Sequence, residues 1–329
     1  MVHRIRNLLH LVVLVATSAV VAFPLVGMSR EASNWSSPSH LSFSLPLGGF
    51  YGILSCPSKA FCAVSDSLGN VYTYNGTRWT LSRQVRLGQE VFAVSCGNAD
   101  SCEAMDQNGE VLALHNGSWS APEPVFGNER IIPLGPSGAD ISCVTNSMCT
   151  AITRTGAATV LRDGSWHTPI DVVNSTSKGV HVSCAAGAFC MVVTGNGQVA
   201  TYDGKTWRRR APVSGVAFAS LSCASPELCA AGTGNSYNIE MWNGNQWKSY
   251  SIGAKSVPML SCPSSAFCMA VDGLDDAYST YSQGTWSPER TIQHVNSSLV
   301  GFGSAVSCAS VDACLTLFDR GYADLWTVG

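Results

Sequence analysis

Seven pairs of cysteines, each with five residues between its two members, constrain this sequence more than any other feature. The first cysteines of successive pairs lie 39 to 47 residues apart. In six units a tryptophan follows the first cysteine by 23 or 24 residues. Spacing that recurs in this way indicates a repeat architecture. The pairs are Cys56/Cys62, Cys96/Cys102, Cys143/Cys149, Cys184/Cys190, Cys223/Cys229, Cys262/Cys268 and Cys308/Cys314.

Each unit contains four short runs rich in β-branched and aromatic residues, separated by Gly, Asn, Asp and Ser. In the fourth unit these runs are residues 180–184, 190–194, 198–202 and 206–211. Such runs are typical of strands joined by hairpin turns. Four antiparallel strands in a unit of about 40 to 45 residues, repeated seven times, predict an all-β fold, a seven-bladed β-propeller.

The two ends of the chain complement each other. The seventh unit stops after its third strand, and Trp326 follows Cys308 by only 18 residues, so it does not align with the repeat tryptophans. The missing tryptophan occurs near the start of the chain as Trp35, 21 residues before Cys56. We therefore predict that the N-terminal segment supplies the outer strand of the last blade. This strand would close the ring and leave no open sheet edge.

The five-residue spacing places the two cysteines of each pair at the end of the first strand and the start of the second. Cysteines that face each other across such a hairpin meet the distance limits of a disulfide. We predict seven disulfides, each contributing about 2 kcal/mol by the chain-entropy argument. Metal binding is the alternative, but zinc sites favour two to four intervening residues and further ligands. This many disulfides indicates an oxidising compartment.

The N-terminal residues are typical of an export segment. Arg4 and Arg6 precede an apolar run over residues 8–26. The run is close to the length that spans a bilayer, so an uncleaved anchor is the alternative. We expect residues 1–30 to be a signal peptide or N-terminal membrane anchor and residues 31–329 to be the propeller. The protein would then be secreted or on the cell surface, and the uncleaved segment would tether it to the membrane in the alternative.

Charge and motifs limit the classes of partner. Charged residues make up 12% of the chain and the net charge is -3, which argues against a nucleic-acid-binding face. The sequence contains no nucleophile elbow, phosphate loop, HExxH or dinucleotide fingerprint. Asp272, Asp275 and Asp276 form the densest acidic cluster, but their spacing is not a complete calcium loop. We expect no cofactor, no resident metal and a monomeric protein.

Two further sets of repeated polar residues predict structural roles. A serine precedes each first cysteine, and seven copies indicate a small residue close to a crowded axis rather than seven nucleophiles. One position four residues after the second cysteine is Asp or Thr in six units, which predicts a turn cap. These residues are Asp66, Asp106, Thr153, Thr194, Thr233 and Asp272.

Candidate binding residues come from the irregular connections between units. The longest connections, residues 126–140 and 292–305, should lie on the face opposite the disulfides, and loops on a rigid scaffold commonly carry function. They contain the candidate ligand-binding residues Phe126, Glu129, Arg130, His294 and Phe302. The alternative is that these side chains pack within their own loops. His181 lies on an innermost strand, where it would face the channel or form part of the core.

The motif Ser-Cys-x5-Cys, followed by an Asp/Asn-Gly turn and Trp, resembles that of disulfide-stapled repeat propellers of secreted bacterial proteins, most of them without an assigned function. It extends over residues 34–329. The Gly-to-Trp portion is also similar to the Asp box of sialidase-type propellers, Ser-x-Asp-x-Gly-x-Thr-Trp. Here Asp or Asn adjoins Gly and the preceding Ser is absent. This departure weakens any transfer of sialidase function.

These observations favour an extracytoplasmic binding propeller that presents its loop-rich face to a glycan, peptide or protein partner. The alternative is a carbohydrate-active hydrolase or lyase of propeller type. Such an enzyme would need two carboxyl groups about 5–10 Å apart in the central pocket. We identify no catalytic residues from the sequence.

Overall fold

The computed structural model describes residues 33–36, 39–43, 54–66, 68–84, 90–127, 139–175, 179–274, 276–292, 303–318 and 322–328. All of them belong to the unit Ala32–Gly329. The predicted leader or anchor, residues 1–30, lies outside the described residues. Within the described ranges the chain forms strands, turns and loops, and no helix.

The described residues form 32 strand segments in seven antiparallel sheets. The first sixteen are β1 (Ser33–Trp35), β2 (Ser39–His40), β3 (Leu54–Ser58), β4 (Phe61–Ser65), β5 (Val71–Tyr74), β6 (Trp79–Arg83), β7 (Val91–Asn98), β8 (Ser101–Asp106), β9 (Glu110–His115), β10 (Ser118–Trp119), β11 (Glu123–Pro124), β12 (Ala139–Thr145), β13 (Met148–Thr153), β14 (Ala157–Arg162), β15 (Ser165–Trp166) and β16 (Ile170–Asp171). The others are β17 (Val180–Ala185), β18 (Phe189–Thr194), β19 (Val199–Asp203), β20 (Trp207–Arg209), β21 (Phe218–Ser225), β22 (Leu228–Thr233), β23 (Ile239–Trp242), β24 (Trp247–Tyr250), β25 (Met259–Ser264), β26 (Phe267–Asp272), β27 (Ala277–Ser282), β28 (Thr285–Trp286), β29 (Arg290–Thr291), β30 (Gly303–Ser310), β31 (Ala313–Phe318) and β32 (Tyr322–Val328).

Each sheet is one blade, and we call its strands A to D from the axis outwards. Blades 1 to 6 run in sequence order from β3 to β29, and blade 7 contains β30, β31 and β32. The A strands contact their neighbours around a closed ring, and the last of them, β30, contacts the first, β3. The ring confirms the predicted seven-bladed β-propeller. In blade 4 the predicted strands agree with the observed ones to within two residues.

Blade 7 is built from both ends of the chain. Its outer strand D is β1 followed by β2, and both pair antiparallel with β32. Trp35 lies opposite Trp326, as Trp207 lies opposite Tyr202 in blade 4. The predicted ring closure by the N-terminal segment is therefore confirmed. Trp35 is buried and packs edge-on against Tyr278 of blade 6, at 5.3 Å between ring centroids.

The D strand is continuous in blades 1, 4 and 5 and broken in blades 2, 3, 6 and 7. In blade 2 the break follows Trp119, where the Ser120 hydroxyl accepts a hydrogen bond from the Ala113 N–H at 3.0 Å. The Ser120 N–H donates in turn to the Ala113 carbonyl at 2.8 Å. Ser36 and Ser287 make the same paired contacts in blades 7 and 6. A serine side chain thus replaces a strand partner at these breaks.

The hydrophobic core is divided among the interfaces between blades. Seven buried clusters occur, one between each pair of neighbouring blades, and each contains side chains of both blades. The repeat tryptophan of every blade packs in the cluster shared with the preceding blade; Trp119 of blade 2, for example, donates its indole N–H to the Ser82 hydroxyl of blade 1 at 2.9 Å. Because a sheet buries both of its faces in this arrangement, the B strands are apolar along nearly their whole length.

All seven predicted disulfides form within their own A–B hairpins. The C–D turns lie on the same face of the ring as these hairpins, because adjacent strands are antiparallel. Blades 2, 3 and 6 use two-residue turns in which both central residues have positive φ, as at Asn116 (49°) and Gly117 (79°). Blades 1, 4 and 5 use longer turns capped by a side chain, such as Asp203, which accepts from Lys205 N and Thr206 N.

The second cysteine of each pair lies deeper than the sequence indicates. The sequence places both cysteines at the hairpin, on one face of the ring, but the second one is at most 3% exposed in every blade. The reason is that it belongs to strand B, which neighbouring blades cover on both faces. Six of these residues are almost completely enclosed: Cys102, Cys190, Cys229 and Cys268 are 0% exposed, and Cys149 and Cys314 are 1% exposed. Their sulfur atoms are therefore part of the protein interior as well as of the hairpin.

Candidate functional site

A cavity of about 210 Å³ lies on the axis of the ring, lined by the A strands. Its walls include the serines that precede the first cysteines. Each serine hydroxyl accepts a hydrogen bond, at 2.9 Å, from the backbone N–H of the first cysteine in the next blade. The seven bonds close a circle, since Ser307 of blade 7 accepts from Cys56 of blade 1. The serines are Ser55, Ser95, Ser142, Ser183, Ser222, Ser261 and Ser307.

This circle assigns the repeated serine a structural role, in agreement with the sequence-based prediction. The Oγ atom satisfies a backbone N–H on an inner strand that has no further strand beside it. A buried N–H without an acceptor would cost about 1–3 kcal/mol. The hydroxyls therefore hold neighbouring blades together around the axis.

One sector of the cavity is polar. Three residues before the first cysteine, blades 3, 4 and 5 carry Asp140, His181 and Ser220. Blades 2, 6 and 7 carry the apolar residues Ala93, Met259 and Ala305 at this level. All three polar side chains are buried. The axis is therefore asymmetric, with its polar groups on three consecutive blades.

The carboxyl group of Asp140 joins two blades. One oxygen accepts from the Ile141 N–H at 2.8 Å and the other from the Val182 N–H of blade 4 at 3.1 Å. Burial raises the pKa of Asp140 to about 7, although both N–H donors act in the opposite direction. Ser220 bridges blades 5 and 6 in a similar way, since it donates to the Pro258 carbonyl at 2.6 Å.

His181 is the candidate channel histidine named from the sequence. The structure places it in the cavity wall with its side chain buried. Burial lowers the pKa of His181 to about 4, so the imidazole is neutral near pH 7. Among the described residues that line this cavity, Asp140 supplies the one carboxyl group.

The cysteines have a structural role alone. All fourteen are bonded within their own hairpins, and among the described residues none is free. The most deeply buried cysteines, Cys102, Cys190, Cys229 and Cys268, are 0% exposed and therefore closed to a ligand in solution. The metal-binding alternative considered for these pairs therefore finds no support, because each thiolate that it needs is consumed in a disulfide.

The face opposite the disulfides carries the B–C loops and the connections between blades. The predicted turn caps are confirmed there: Asp66 accepts from the N–H groups of Leu68 and Asn70, and Thr194 from that of Gln198. Asp106, Thr153, Thr233 and Asp272 accept equivalent bonds in their loops. We call this the loop-rich face.

Three B–C loops place a large apolar side chain in solvent. Leu68, Tyr237 and Leu274 are 68%, 40% and 47% exposed. They belong to blades 1, 5 and 6. The loops of blades 2, 3 and 4 present Asn108, Thr155 and Asn196 at their tips instead. The exposed apolar groups thus fall on one side of the ring, flanking blade 7.

The candidate ligand-binding residues from the sequence divide into two groups. Phe126 is buried and packs in the cluster between blades 2 and 3, with Val125 and Ile141. Its side chain therefore contributes to the core. Glu129, Arg130, His294 and Phe302 lie outside the described residues, and their role as contact residues stays a prediction.

The acidic cluster of blade 6 has a structural use in its described part. The carboxyl group of Asp272 accepts from the backbone of Lys255 and Leu274 and from the hydroxyl of Ser256. Asp275 lies outside the described residues. Within the ranges that the structure describes, no three His, Cys, Asp or Glu side chains are grouped as metal ligands.

A second cavity of about 490 Å³ lies between blades 7 and 1, which are the blades joined by the ring closure. Its lining combines the A–B hairpins of both blades and the C–D turn of blade 1, which lie on the disulfide-bearing face, with residues in and next to strands C and D of blade 7, among them Ala323, Ser39 and Leu41. Sequence reasoning overlooked this cavity. The available signal was Ala313, which occupies the position before the second cysteine, where five other units have Phe, Met or Leu.

Known proteins resemble this chain in fold. No model of a protein family matches the sequence, and the curated proteins contain no match. A solved structure described as YCF48 bound to D1 peptide is similar, with 15% identity, 90% of this chain and 97% of that chain covered, and a TM-score of 0.64. A chain of a mitotic checkpoint complex has 14% identity, 97% and 99% coverage and a TM-score of 0.72.

A catalytically inactive virginiamycin B lyase from Staphylococcus aureus, solved with quinupristin, is also similar. It has 10% identity, 90% and 100% coverage and a TM-score of 0.67. At these identities the likeness extends to the propeller fold alone, because one fold hosts many functions. In the part of the chain that the structure describes, no helix is long and apolar enough to cross a membrane.

Proposed function

We propose that this protein is an extracytoplasmic binding propeller whose loop-rich face holds a peptide segment of a protein partner. The observation that carries the proposal is the set of exposed apolar side chains Leu68, Tyr237 and Leu274 at the B–C loop tips. Large apolar side chains held in solvent by a rigid scaffold are typical of binding surfaces. Two of the solved structures with this fold, the peptide complex and the checkpoint complex, contain a propeller with a peptide or protein.

The backbone of Tyr237 supports this assignment. Its φ is 57°, in the left-handed region that bulky residues rarely adopt. The strain is offset by the Thr233 hydroxyl, which accepts from the Asn238 N–H at 3.0 Å and holds the loop. An exposed aromatic side chain kept in an unfavourable backbone conformation suggests a functional constraint.

The disulfides support the location. Seven disulfides indicate that the protein folds in an oxidising compartment. We propose that the apolar run at residues 8–26 directs export and that the propeller faces the extracytoplasmic space. The propeller would be released or would stay tethered, depending on cleavage of this segment.

The axial cavity favours binding over the carbohydrate-active alternative. A glycosidase places two carboxyl groups about the reacting bond. The described lining of the cavity offers Asp140, whose two oxygens both accept backbone N–H groups. The seven serine hydroxyls are likewise engaged between blades. Binding on the loop-rich face requires none of these groups.

The test is selection of displayed peptides on the immobilised, oxidised protein, with an array of glycans screened in parallel. We expect the selected peptides to share a sequence pattern with apolar anchors. The double variant Leu68→Asp/Leu274→Asp should bind them at least about tenfold more weakly, since each buried anchor contributes about 1–2 kcal/mol.

The matched control is Val311→Asp. Val311 is 39% exposed and lies at the A–B hairpin tip of blade 7, on the opposite face. It should leave peptide affinity unchanged. The proposal is contradicted if the double variant binds like the wild type, if Val311→Asp weakens binding equally, or if glycans alone are retained.

A further inference from the structure

At the position before the second cysteine, blades 2 and 7 have a small residue, Ser101 and Ala313, and the cavity between blades 7 and 1 lies beside Ala313. The residue before the second cysteine points into the next blade, and Phe61, Met148, Phe189, Leu228 and Phe267 all pack there. In blade 6 this residue, Phe267, stacks on Trp326 of blade 7 at 5.5 Å between centroids. Blade 7 has Ala313 instead. The missing side chain leaves the corresponding rings of blade 1 uncovered.

Those rings form an aromatic wall in the cavity. Tyr74 and Trp79 both line it, and their centroids are 5.3 Å apart. The Tyr74 hydroxyl donates to the Gly76 carbonyl at 2.8 Å, which fixes the ring. Trp79 packs edge-on against Phe43, with 5.8 Å between the ring centroids. The wall is therefore held in place and accessible on the cavity side, where both rings are only half-buried.

Positive charge lies at the rim. Lys59 on the A–B hairpin and Arg78 on the C–D turn of blade 1 both border the cavity, and both are exposed. The part of the lining that the structure describes contains neither Asp nor Glu. Among the described residues, neither cation forms an ion pair. The site therefore combines an apolar, aromatic interior with an entrance that favours an anion.

The walls are also pre-organised. The disulfides Cys56–Cys62 and Cys308–Cys314 lie on opposite sides of the cavity, and three of their four cysteines line it. A volume of about 490 Å³ falls in the range typical of small-molecule sites, which are largely apolar with a few polar groups. A rigid site loses little conformational entropy when a ligand binds.

We propose that this cavity is a second binding site, for a small organic anion with a planar apolar body, such as an aromatic carboxylate. The planar body stacks on Tyr74 and Trp79 in the space left by Ala313, and the anionic group lies between Lys59 and Arg78. Lys59 and Arg78 lie on the disulfide-bearing face, and none of Leu68, Tyr237 and Leu274 lines the cavity. The site is therefore independent of the peptide-binding function proposed for the loop-rich face.

The experiment uses anilinonaphthalene sulfonate, an aromatic anion that fluoresces in apolar sites, with the oxidised protein. We expect saturable binding that indoleacetate displaces more effectively than its neutral analogue indoleacetamide. Ala313→Phe introduces the side chain that blades 1, 4 and 6 carry at this position. It should weaken binding at least about tenfold, because it fills the space of the planar body.

A rim variant separates the role of charge from any effect on folding. Lys59→Gln/Arg78→Gln changes exposed side chains and should weaken indoleacetate binding about threefold to tenfold, while leaving indoleacetamide unchanged. Arg154→Gln, an exposed cation in a B–C loop of blade 3, is the matched control and should have no effect. Thermal unfolding of each variant verifies that it folds.

Three outcomes would overturn the proposal. These are the absence of a fluorescence increase with the wild-type protein, equal affinity of wild type and a folded Ala313→Phe variant, and equal displacement by indoleacetate and indoleacetamide. Peptide binding on the loop-rich face is measured separately. Loss of one activity in these variants therefore leaves the other as an internal reference.

Discussion

At the scale of single residues, the repeated serines act through backbone hydrogen bonds. Each Oγ joins an A strand to the next blade, and the seven bonds enclose the axis. The sequence showed that a small residue was required there. It did not show the direction of the bond, because the acceptor and the donor are 40 to 48 residues apart in six of the bonds and 251 apart in the seventh, and they come together only in the closed ring.

Replacing one of these serines should be costly. Ser183→Ala leaves the Cys223 N–H without its acceptor, so we expect the free energy of unfolding to fall by about 1–3 kcal/mol. Denaturant titration measures this change. Ser282→Ala, at an exposed serine on the C strand of blade 6, is the control and should change stability by less than about 0.5 kcal/mol. Equal stability of both variants would argue against a structural circle.

Glu103 is a second residue-scale feature, because it is a carboxyl group inside a blade interface. The residue is 3% exposed, and Oε2 has no hydrogen-bond partner among the described residues. The equivalent residues in blades 1, 4, 5 and 6 are Ala63, Met191, Ala230 and Met269. Burial raises the pKa of Glu103 from 4.5 to about 8, and the charge of Glu123 adds to the shift.

The raised pKa makes stability depend on pH. The folded protein retains the Glu103 proton up to about pH 8, whereas the unfolded chain releases it near 4.5, so stability falls as the pH rises through this window. Asp140 acts in the same direction up to about pH 7. His181, whose pKa is lowered to about 4, acts in the opposite direction below its ordinary value of 6.5. Above that value the carboxyl groups dominate.

We expect the thermal midpoint of the wild-type protein to decrease between about pH 6.5 and pH 8.5, and Glu103→Gln to remove most of the decrease. Gln keeps the shape of the side chain without a titrating group. Glu227→Gln, at an exposed position, is the control and should retain the wild-type profile. A wild-type profile for Glu103→Gln would show that another group governs the pH dependence.

At the scale of strands, two classes of blade follow from local sequence. Blades with 15 to 17 residues from the repeat tryptophan to the next cysteine have a continuous D strand, and blades with 18 to 24 have a broken one. The two-residue turns occur with broken strands in blades 2, 3 and 6. In the longer connections the chain departs from strand D directly after the tryptophan. There the hydroxyl of Ser120, or of its equivalents, accepts the hydrogen bond of a backbone N–H on strand C.

Deleting the strand formed by β1 and β2 tests whether this strand closes the ring. Removing residues 1–45 deletes it and exposes the edge of β32, together with the site of Trp35 in the core between blades 6 and 7. We expect this truncation to lower stability by at least about 3 kcal/mol, the usual cost of losing a buried tryptophan, and to promote association through the free edge.

The control truncation removes residues 1–30, which precede β1. Thermal unfolding and size-exclusion chromatography of the two proteins provide the comparison. The protein that lacks only residues 1–30 should be as stable as the full-length protein and should elute as a monomer. If the two truncations are equally stable, β1 and β2 contribute little and the closure argument fails.

At the scale of the whole molecule, the disulfides reinforce every blade at the same position. Each closes a hairpin loop and contributes about 2 kcal/mol by the chain-entropy argument. Seven such terms are comparable with the entire net stability of an ordinary domain, about 5–15 kcal/mol. The blades also depend on their neighbours, since every core cluster is shared. Loss of several disulfides should therefore affect the ring as a unit.

We expect full reduction and alkylation, carried out in denaturant because the second cysteines are buried, to abolish the cooperative unfolding transition. Removal of one pair, Cys184→Ala/Cys190→Ala, should cost only about 2 kcal/mol. Differential scanning calorimetry compares the three proteins. Peptide mapping without reductant should find each bridge within its own hairpin. A cooperative transition in the fully reduced chain would show that blade packing alone is sufficient.

The sequence by itself determined the number of blades, the disulfide pairs, the turn caps and the closing strand around Trp35. These features rest on local spacing and on the period of the repeat, which a single chain displays directly. The burial of Phe126 could not be predicted from local spacing. Its position in a long connection predicts a contact residue, but its side chain packs between blades 2 and 3, because burial depends on where the next blade lies. The burial of Cys190 and its equivalents could not be predicted from the sequence for the same reason.

Only the tertiary structure determined how neighbouring units meet. The circle of serine bonds, the polar sector at Asp140 and the cavity above Ala313 each require two blades in contact. Ala313 is unremarkable within its own unit and becomes significant when Tyr74 and Trp79 of blade 1 lie beside it. The repeated sequence determines the strands and turns within each blade. The cavity at Ala313, in contrast, depends on side chains of the first and last blades, which meet only when the ring closes.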